Sequence, residues 1–177
     1  MSEEVKPVYA QVFFNVSKEF VTYYLIFDYH DSKLYYSKLI RDEVKFEEEM
    51  NKVYYNMQNF LKEEKVRVNG HRCEPNVLMV DLGFRGSHDR PYLAFLIGFE
   101  VRLKRGLNVY ENEYPPEIIE YDYVAYWHFP PNCKIKEVEM KEEYEIVNDR
   151  ILVIYGNKGK YISGYEMISF FMKDWNL

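Results

Sequence analysis

The chain has 177 residues, 47% hydrophobic and 29% charged, with a net charge of −6. That is enough apolar surface to build one folded domain, and it excludes wholesale disorder. No apolar run reaches about 18 residues, so no membrane-spanning helix is expected, and the excess of acid over base argues against general binding to a nucleic-acid backbone.

Aromatic residues make up 18% of the chain, with 18 Tyr and 12 Phe. That excess is its main compositional anomaly. The start, MSEEVKPVYAQ, is acidic and lacks an apolar core, so it does not read as a secretory signal. Cys73 and Cys133 lie far apart with no CxxC spacing. Buried thiols in a reducing, cytoplasmic setting fit this usage, and pairing of the two stays open. Richness in Lys, Glu, Tyr and Ile with only two Gln resembles a hot-environment proteome.

In chain order, VYAQVFFNV (8–16) reads as a strand, rich in β-branched and aromatic residues. FVTYYLIFDY (20–29) and KLYYSKLI (33–40) read as two more, joined by HDSK as a hairpin. Residues 42–64 form the clearest helix, a long one. Phe46, Met50, Val53, Met57 and Phe60 make one apolar stripe, and Asp42 is placed to cap the N-terminus. PNVLMVDLGF (75–84) and YLAFLIGFEVRLK (92–104) are strands; the latter puts Leu93, Phe95, Ile97, Phe99 and Val101 on one face. Residues 118–129 are a strand closed by Pro130 and Pro131. For KIKEVEMKEEYEIVNDR (134–150), charge density and length favour a second helix over 135–148, whereas the alternation in KIKEVEM favours a strand. ILVIYG (151–156) and KYISGYEMISFF (160–171) read as strands around NKGK.

The expected architecture is one α+β domain over 1–177, mostly antiparallel sheet. A coarse pseudo-repeat of strand–helix–strand–strand units, 33–104 and 118–171, appears if the second helix forms. Two such tandem units resemble the gyrase-inhibitory-protein-like effector-binding family, whose relatives include the ligand domains of AraC-type regulators and SOUL haem-binding proteins. NFLKEEKVRVNGHRCEPNVLMVDLGF, RPYLAFLIGFEV and RGLNVYENEYPPEIIEYDYVAYWHFPP carry the resemblance, over the middle half of the chain. It implies a ligand-binding fold of regulatory or sensing type.

The residues themselves offer one candidate site. By alternation Tyr121, Tyr123, Ala125, Trp127 and Phe129 share a face of strand 118–129. Two phenols and an indole around a small Ala suit stacking of a flat or cationic ligand; the bland alternative is a half-buried core strand. Gly98 and Glu100 share a face of strand 92–104, where a strand Gly marks a bulge or a close approach and Glu100 would supply charge. The candidate ligand-binding set is therefore Tyr121, Tyr123, Trp127, Glu100 and Gly98. His30 and His88 each stand beside an Asp, in turns where Asp and Ser serve local hydrogen bonds. No HExxH, G-x-S-x-G, GxGxxG or Walker pattern is present. No catalytic residue, metal site or cofactor is read from the sequence. The favoured reading is a non-enzymatic binder of a small aromatic or cationic molecule. The rival is an interaction protein that docks a protein partner, or a second copy of itself, through Tyr-rich strands.

Overall fold

A computed structural model describes residues 5–173. The elements in chain order are β1 (Val5–Val16), β2 (Phe20–Asp31), α1 (Tyr35–Leu39), α2 (Glu43–Glu63), β3 (Arg67–Val68), β4 (His71–Arg72), β5 (Asn76–Phe84) and β6 (Pro91–Glu100). There follow β7 (Gly106–Glu113), β8 (Glu117–Ile118), β9 (Asp122–His128), β10 (Cys133–Glu139), β11 (Glu143–Val147), β12 (Ile151–Gly156), β13 (Tyr161–Ile162) and β14 (Tyr165–Met172). The fold is α+β and dominated by sheet. A seven-stranded sheet runs β11-β12-β9-β1-β2-β6-β5, a five-stranded sheet runs β10-β14-β7-β3-β4, and β13 pairs with β8. Among the described residues the pairings are antiparallel except β1 with β9, which makes the large sheet mixed.

Three expectations are corrected. Residues 33–40 are not a strand. Leu34 takes a left-handed φ of 58°, and the buried Asp31 carboxylate accepts the Tyr36 N–H at 2.9 Å, so the chain turns into α1. The hairpin instead joins β1 to β2. Residues 135–148 are not a helix: they form β10 and β11, so the second strand–helix–strand–strand unit is absent. The alternation decides this, because Cys133 and Ile135 are buried while Lys134 and Lys136 stay out, and each segment finds a ladder, β10 on β14 and β11 on β12. Paired strands satisfy their backbone groups at once, which outweighs local helix preference. The strand 118–129 is interrupted, with β8 and β9 separated at Ile119–Tyr121.

The helix stands where its stripe places it. Asp42 caps α2 by accepting the Lys45 N–H at 3.2 Å. Phe46, Met50, Val53 and Met57 join the apolar core. Phe60 does not; it is 51% exposed, and Leu61, at 3%, takes the buried place. Gln58 clamps α2 to the start of β5, donating to the Pro75 carbonyl and accepting from the Val77 N–H at 2.9 Å. The Asn69-Gly70 turn between β3 and β4 has φ of 53° and 77°, the left-handed pair that a tight hairpin requires.

Register aligns the inner face of the large sheet in rows. One row runs Leu152, Trp127, Phe14, Tyr23, Ile97 and Val77; the next runs Ile154, Ala125, Val12, Leu25, Phe95 and Val80. Phe14 and Trp127 stack with centroids 3.9 Å apart. The five-stranded sheet closes over this side through Tyr110 on Trp127 and Phe170 on Phe129, at 4.6 and 4.7 Å. Each such ring pair adds about 0.5–1.5 kcal/mol beyond area burial. α2 covers β5, so the middle of the sheet, β1 and β2, lies between two covering layers.

Candidate functional site

That gap is a cavity of about 460 Å³. Its floor is Ala10, Val12 and Phe14 of β1 with Tyr23, Leu25 and Phe27 of β2. The C-terminal end of α2 forms one wall, with Leu61 and Glu64. The opposite wall comes from Tyr110 and Asn112 of β7, Glu166 of β14 and Tyr121 and Tyr123 at β9; Tyr114 and Glu142 come from the adjoining loops. The small side chains of Ala10 and Val12 explain why the floor is low there. The volume falls within the range of about 300–1,000 Å³ usual for small-molecule sites.

The lining is chemically one-sided. It includes five acids, Glu63, Glu64, Glu117, Glu142 and Glu166, and among the described residues no Lys, Arg or His. Five phenols face the same space, those of Tyr23, Tyr110, Tyr114, Tyr121 and Tyr123. Tyr110 donates to Glu166 Oε1 at 3.1 Å. Tyr114 and Tyr123 both donate to Glu142 Oε1, at 3.3 and 3.2 Å. The Asn112 Nδ2 donates to Glu64 Oε2 at 3.0 Å. Asn112 Oδ1 is buried with no hydrogen-bond partner among the described residues.

Burial governs the protonation of this wall. It pushes the Glu166 carboxyl up to about 8, and the nearby Glu142 and Glu64 push the same way, against the hydrogen bonds from Tyr110 and Asn112. Glu64 is also raised by burial, opposed by Asn112 and by the Arg72 charge. Burial holds the Tyr121 phenol at about 12, and raises Tyr114 and Tyr123 further with help from Glu142. The phenols are thus donors at neutral pH, and the wall resists added negative charge.

Tyr123 is held in place by its neighbour across the ladder. Gly156 pairs with it, and a Cβ at Gly156 would fall inside the Tyr123 ring. Only a residue with no side chain lets the ring lie flat on β12.

The structure separates the residues singled out from sequence. Tyr121 and Tyr123 line the cavity together. Trp127, on the same face, is 2% exposed and lies under the five-stranded sheet, stacked on Phe14, which itself lines the floor. Gly98 and Glu100 are elsewhere. Gly98 faces the outer side of β6 beneath the Phe20 ring, and Glu100 is exposed at the strand end beside Lys18 and Arg102. Cys73 and Cys133 are both buried and unpaired. Sequence reading missed Glu64, Asn112, Glu142 and Glu166. One trace existed: Tyr110 and Asn112 alternate on β7, and Asn112 pairs in register with Glu166.

No family model matches the chain, and no curated protein matches it. Among solved structures the chain is similar to native yeast LTA4 hydrolase, with a TM-score of 0.37 and 7% identity over 96% of this chain and 29% of that one. It is similar also to yeast LTA4 hydrolase in complex with bestatin, with a TM-score of 0.35 and 6% identity over 94% of this chain and 29% of that one. The chain therefore spans less than a third of the length of these structures.

Proposed function

We propose that the protein binds a small organic cation with an aromatic or apolar body in the cavity between α2 and the five-stranded sheet. One observation carries the reading: five acids and five phenols line a largely apolar space that holds no basic side chain among the described residues. A cation there gains from ring faces and from carboxylates in a partly dried environment. An anion would meet like charge, and a neutral guest would leave the acids uncompensated. Tyr121 and Tyr123 supply ring faces, Glu142 supplies charge, and Glu166 supplies it on giving up the proton that burial keeps on it.

Trp127 stands beside the floor, stacked on Phe14, and reports on it. Titration with a planar cationic dye is expected to change tryptophan emission, in a Trp175→Phe background that leaves Trp127 as the sole indole. Tyr123→Ala is expected to weaken binding by about 1 kcal/mol or more. A panel of planar cations that leaves emission unchanged and gives no heat in calorimetry refutes the reading.

A second reading, docking of a protein partner or a second copy, has its own support. Phe13 and Tyr126 stack on the outer face of the large sheet at 5.1 Å, with Phe13 43% and the neighbouring Tyr155 39% exposed. Sedimentation across a concentration range checks it: a monomer at all concentrations removes the self-association form.

A further inference from the structure

The cavity wall is not uniformly acidic. Its inner part, where β7 and β14 pair, engages the donors of Tyr110 and Asn112 and keeps several acceptors. The Tyr110 hydroxyl is engaged with Glu166 Oε1, and the Asn112 Nδ2 with Glu64 Oε2. Asn112 is only 6% exposed, yet its Oδ1 has no partner among the described residues. A buried carbonyl without a donor costs about 1–3 kcal/mol, and a fold retains such a group where something else satisfies it. Asn112 sits opposite Glu166 in the β7–β14 ladder and is bonded to Glu64, so three acceptor-bearing side chains meet at one place.

A metal ion does not fit the arrangement. No cluster of three or more His, Cys, Asp or Glu side chains among the described residues is spaced to hold one. The phenols and aliphatic floor also call for a guest with an apolar body. A quaternary ammonium satisfies the charge but has no N–H, and would leave Asn112 Oδ1 orphaned. A primary ammonium carries three N–H donors and no acceptor, which complements the acceptors of Glu64, Glu166 and Asn112 once Glu166 gives up its proton.

We propose that the ligand is a primary amine, bound as its ammonium, with the –NH3⁺ group held by Glu64, Glu166 and Asn112 Oδ1 and an aromatic or apolar body lying toward Tyr121, Tyr123 and Phe27. This deepens the cation-binding reading and rests on it. The groups facing Glu166 are Glu142, Glu64, Tyr110 and Asn112, with Arg72 nearest Glu64. Among the described residues, no cation is among the groups acting on Glu166. The proton that Glu166 keeps when empty of ligand is one donor; an ammonium brings three and a full charge, and displaces that proton.

The test is a methylation series measured by calorimetry at pH 7 and low salt: 2-phenylethylammonium, its N-methyl and N,N-dimethyl derivatives, and the N,N,N-trimethyl salt. The charge is the same throughout while N–H donors fall from three to none. Affinity is expected to drop stepwise, on the order of tenfold or more over the series. Asn112→Ala is expected to flatten the series, lowering the affinity of the primary ammonium more than that of the trimethyl salt. The series on the unaltered protein needs no variant, so a folding defect in Asn112→Ala does not protect the proposal. Equal affinity along the series overturns the ammonium assignment and leaves cation binding standing. Tighter binding of 2-phenylethylguanidinium than of the primary amine overturns it in favour of a planar donor. Absence of binding by every cation overturns both readings.

Discussion

Glu166→Gln isolates the electrostatic character of the cavity without changing its shape. Burial raises the Glu166 carboxyl from its ordinary 4.5 to about 8. The native state therefore holds this proton more tightly than the unfolded chain does. Below pH 4.5 both states are protonated and the residue is neutral in the balance. Between 4.5 and about 8 only the native state keeps the proton, so stability falls as pH rises, by about 1.4 kcal/mol for each pH unit. Above 8 the loss is complete and constant. The interval sets a ceiling of about 5 kcal/mol, and water reaching Glu166 through the cavity keeps the effect below it, near 2–4 kcal/mol. Gln carries no charge at any of these values and retains an oxygen for the Tyr110 hydroxyl. Glu166→Gln is thus expected to match the parent near pH 4.5–5 and to exceed it by about 2–4 kcal/mol at pH 8.5. Urea unfolding at pH 5, 6.5 and 8.5, with equal denaturant slopes for both proteins, measures the difference. A stability difference that does not change with pH, or a variant weaker than the parent at pH 8.5, refutes the reasoning. The cost that Glu166 imposes is what a bound cation would relieve.

Three other substitutions probe the frame around the cavity. Phe99→Ala removes a β6 ring that is 2% exposed in the core beside the cavity, and should cost about 3–5 kcal/mol in chemical denaturation; parent-like stability would contradict its central place in that core. Gly156→Ala places a methyl group in the Tyr123 ring and should displace that ring, weakening dye binding more than it lowers Tm; unchanged dye affinity would show that Tyr123 does not depend on Gly156. Asp42→Ala removes the cap that receives the Lys45 N–H and should cost about 1 kcal/mol with no effect on ligand affinity, read by thermal melting and calorimetry.

Much of the frame is legible in the sequence. The spacing of Phe46, Met50, Val53 and Met57 determines an amphipathic helix because a 3.6-residue period leaves no other regular structure with one apolar face. The alternation in Leu93, Phe95, Ile97 and Phe99 determines a strand and its inward face for the same kind of reason. The face of β9 was also readable, and it carries Tyr121 and Tyr123 to the cavity. Where two periods coexist, as in residues 134–150, pattern alone does not decide. There the free ladder edges of β14 and β12 selected strands. Likewise Leu34 and Asp31 turned KLYYSKLI into a helical turn, through a backbone conformation and a buried hydrogen bond that no periodicity announces.

The candidate site belongs mostly to the tertiary structure. Sequence determined that tyrosines would stand on one face of β9 with Trp127, because residues two apart in a strand point the same way. Which of them meets a cavity depended on what covers each. The five-stranded sheet seals Trp127 and leaves Tyr121 and Tyr123 open. Glu64, Asn112, Glu142 and Glu166 come from the end of a helix, two paired strands and a turn, separated by 102 positions between the first and last. No local spacing links them, since side-chain periodicity acts only within one element. Register between β7 and β14 set Asn112 against Glu166, and the seat of α2 on β5 brought Glu64 to both. Local pattern therefore decided which residues face inward. Only the packing of α2 and the second sheet over β1 and β2 decided that those inward faces enclose a space, and that the space is lined by acid.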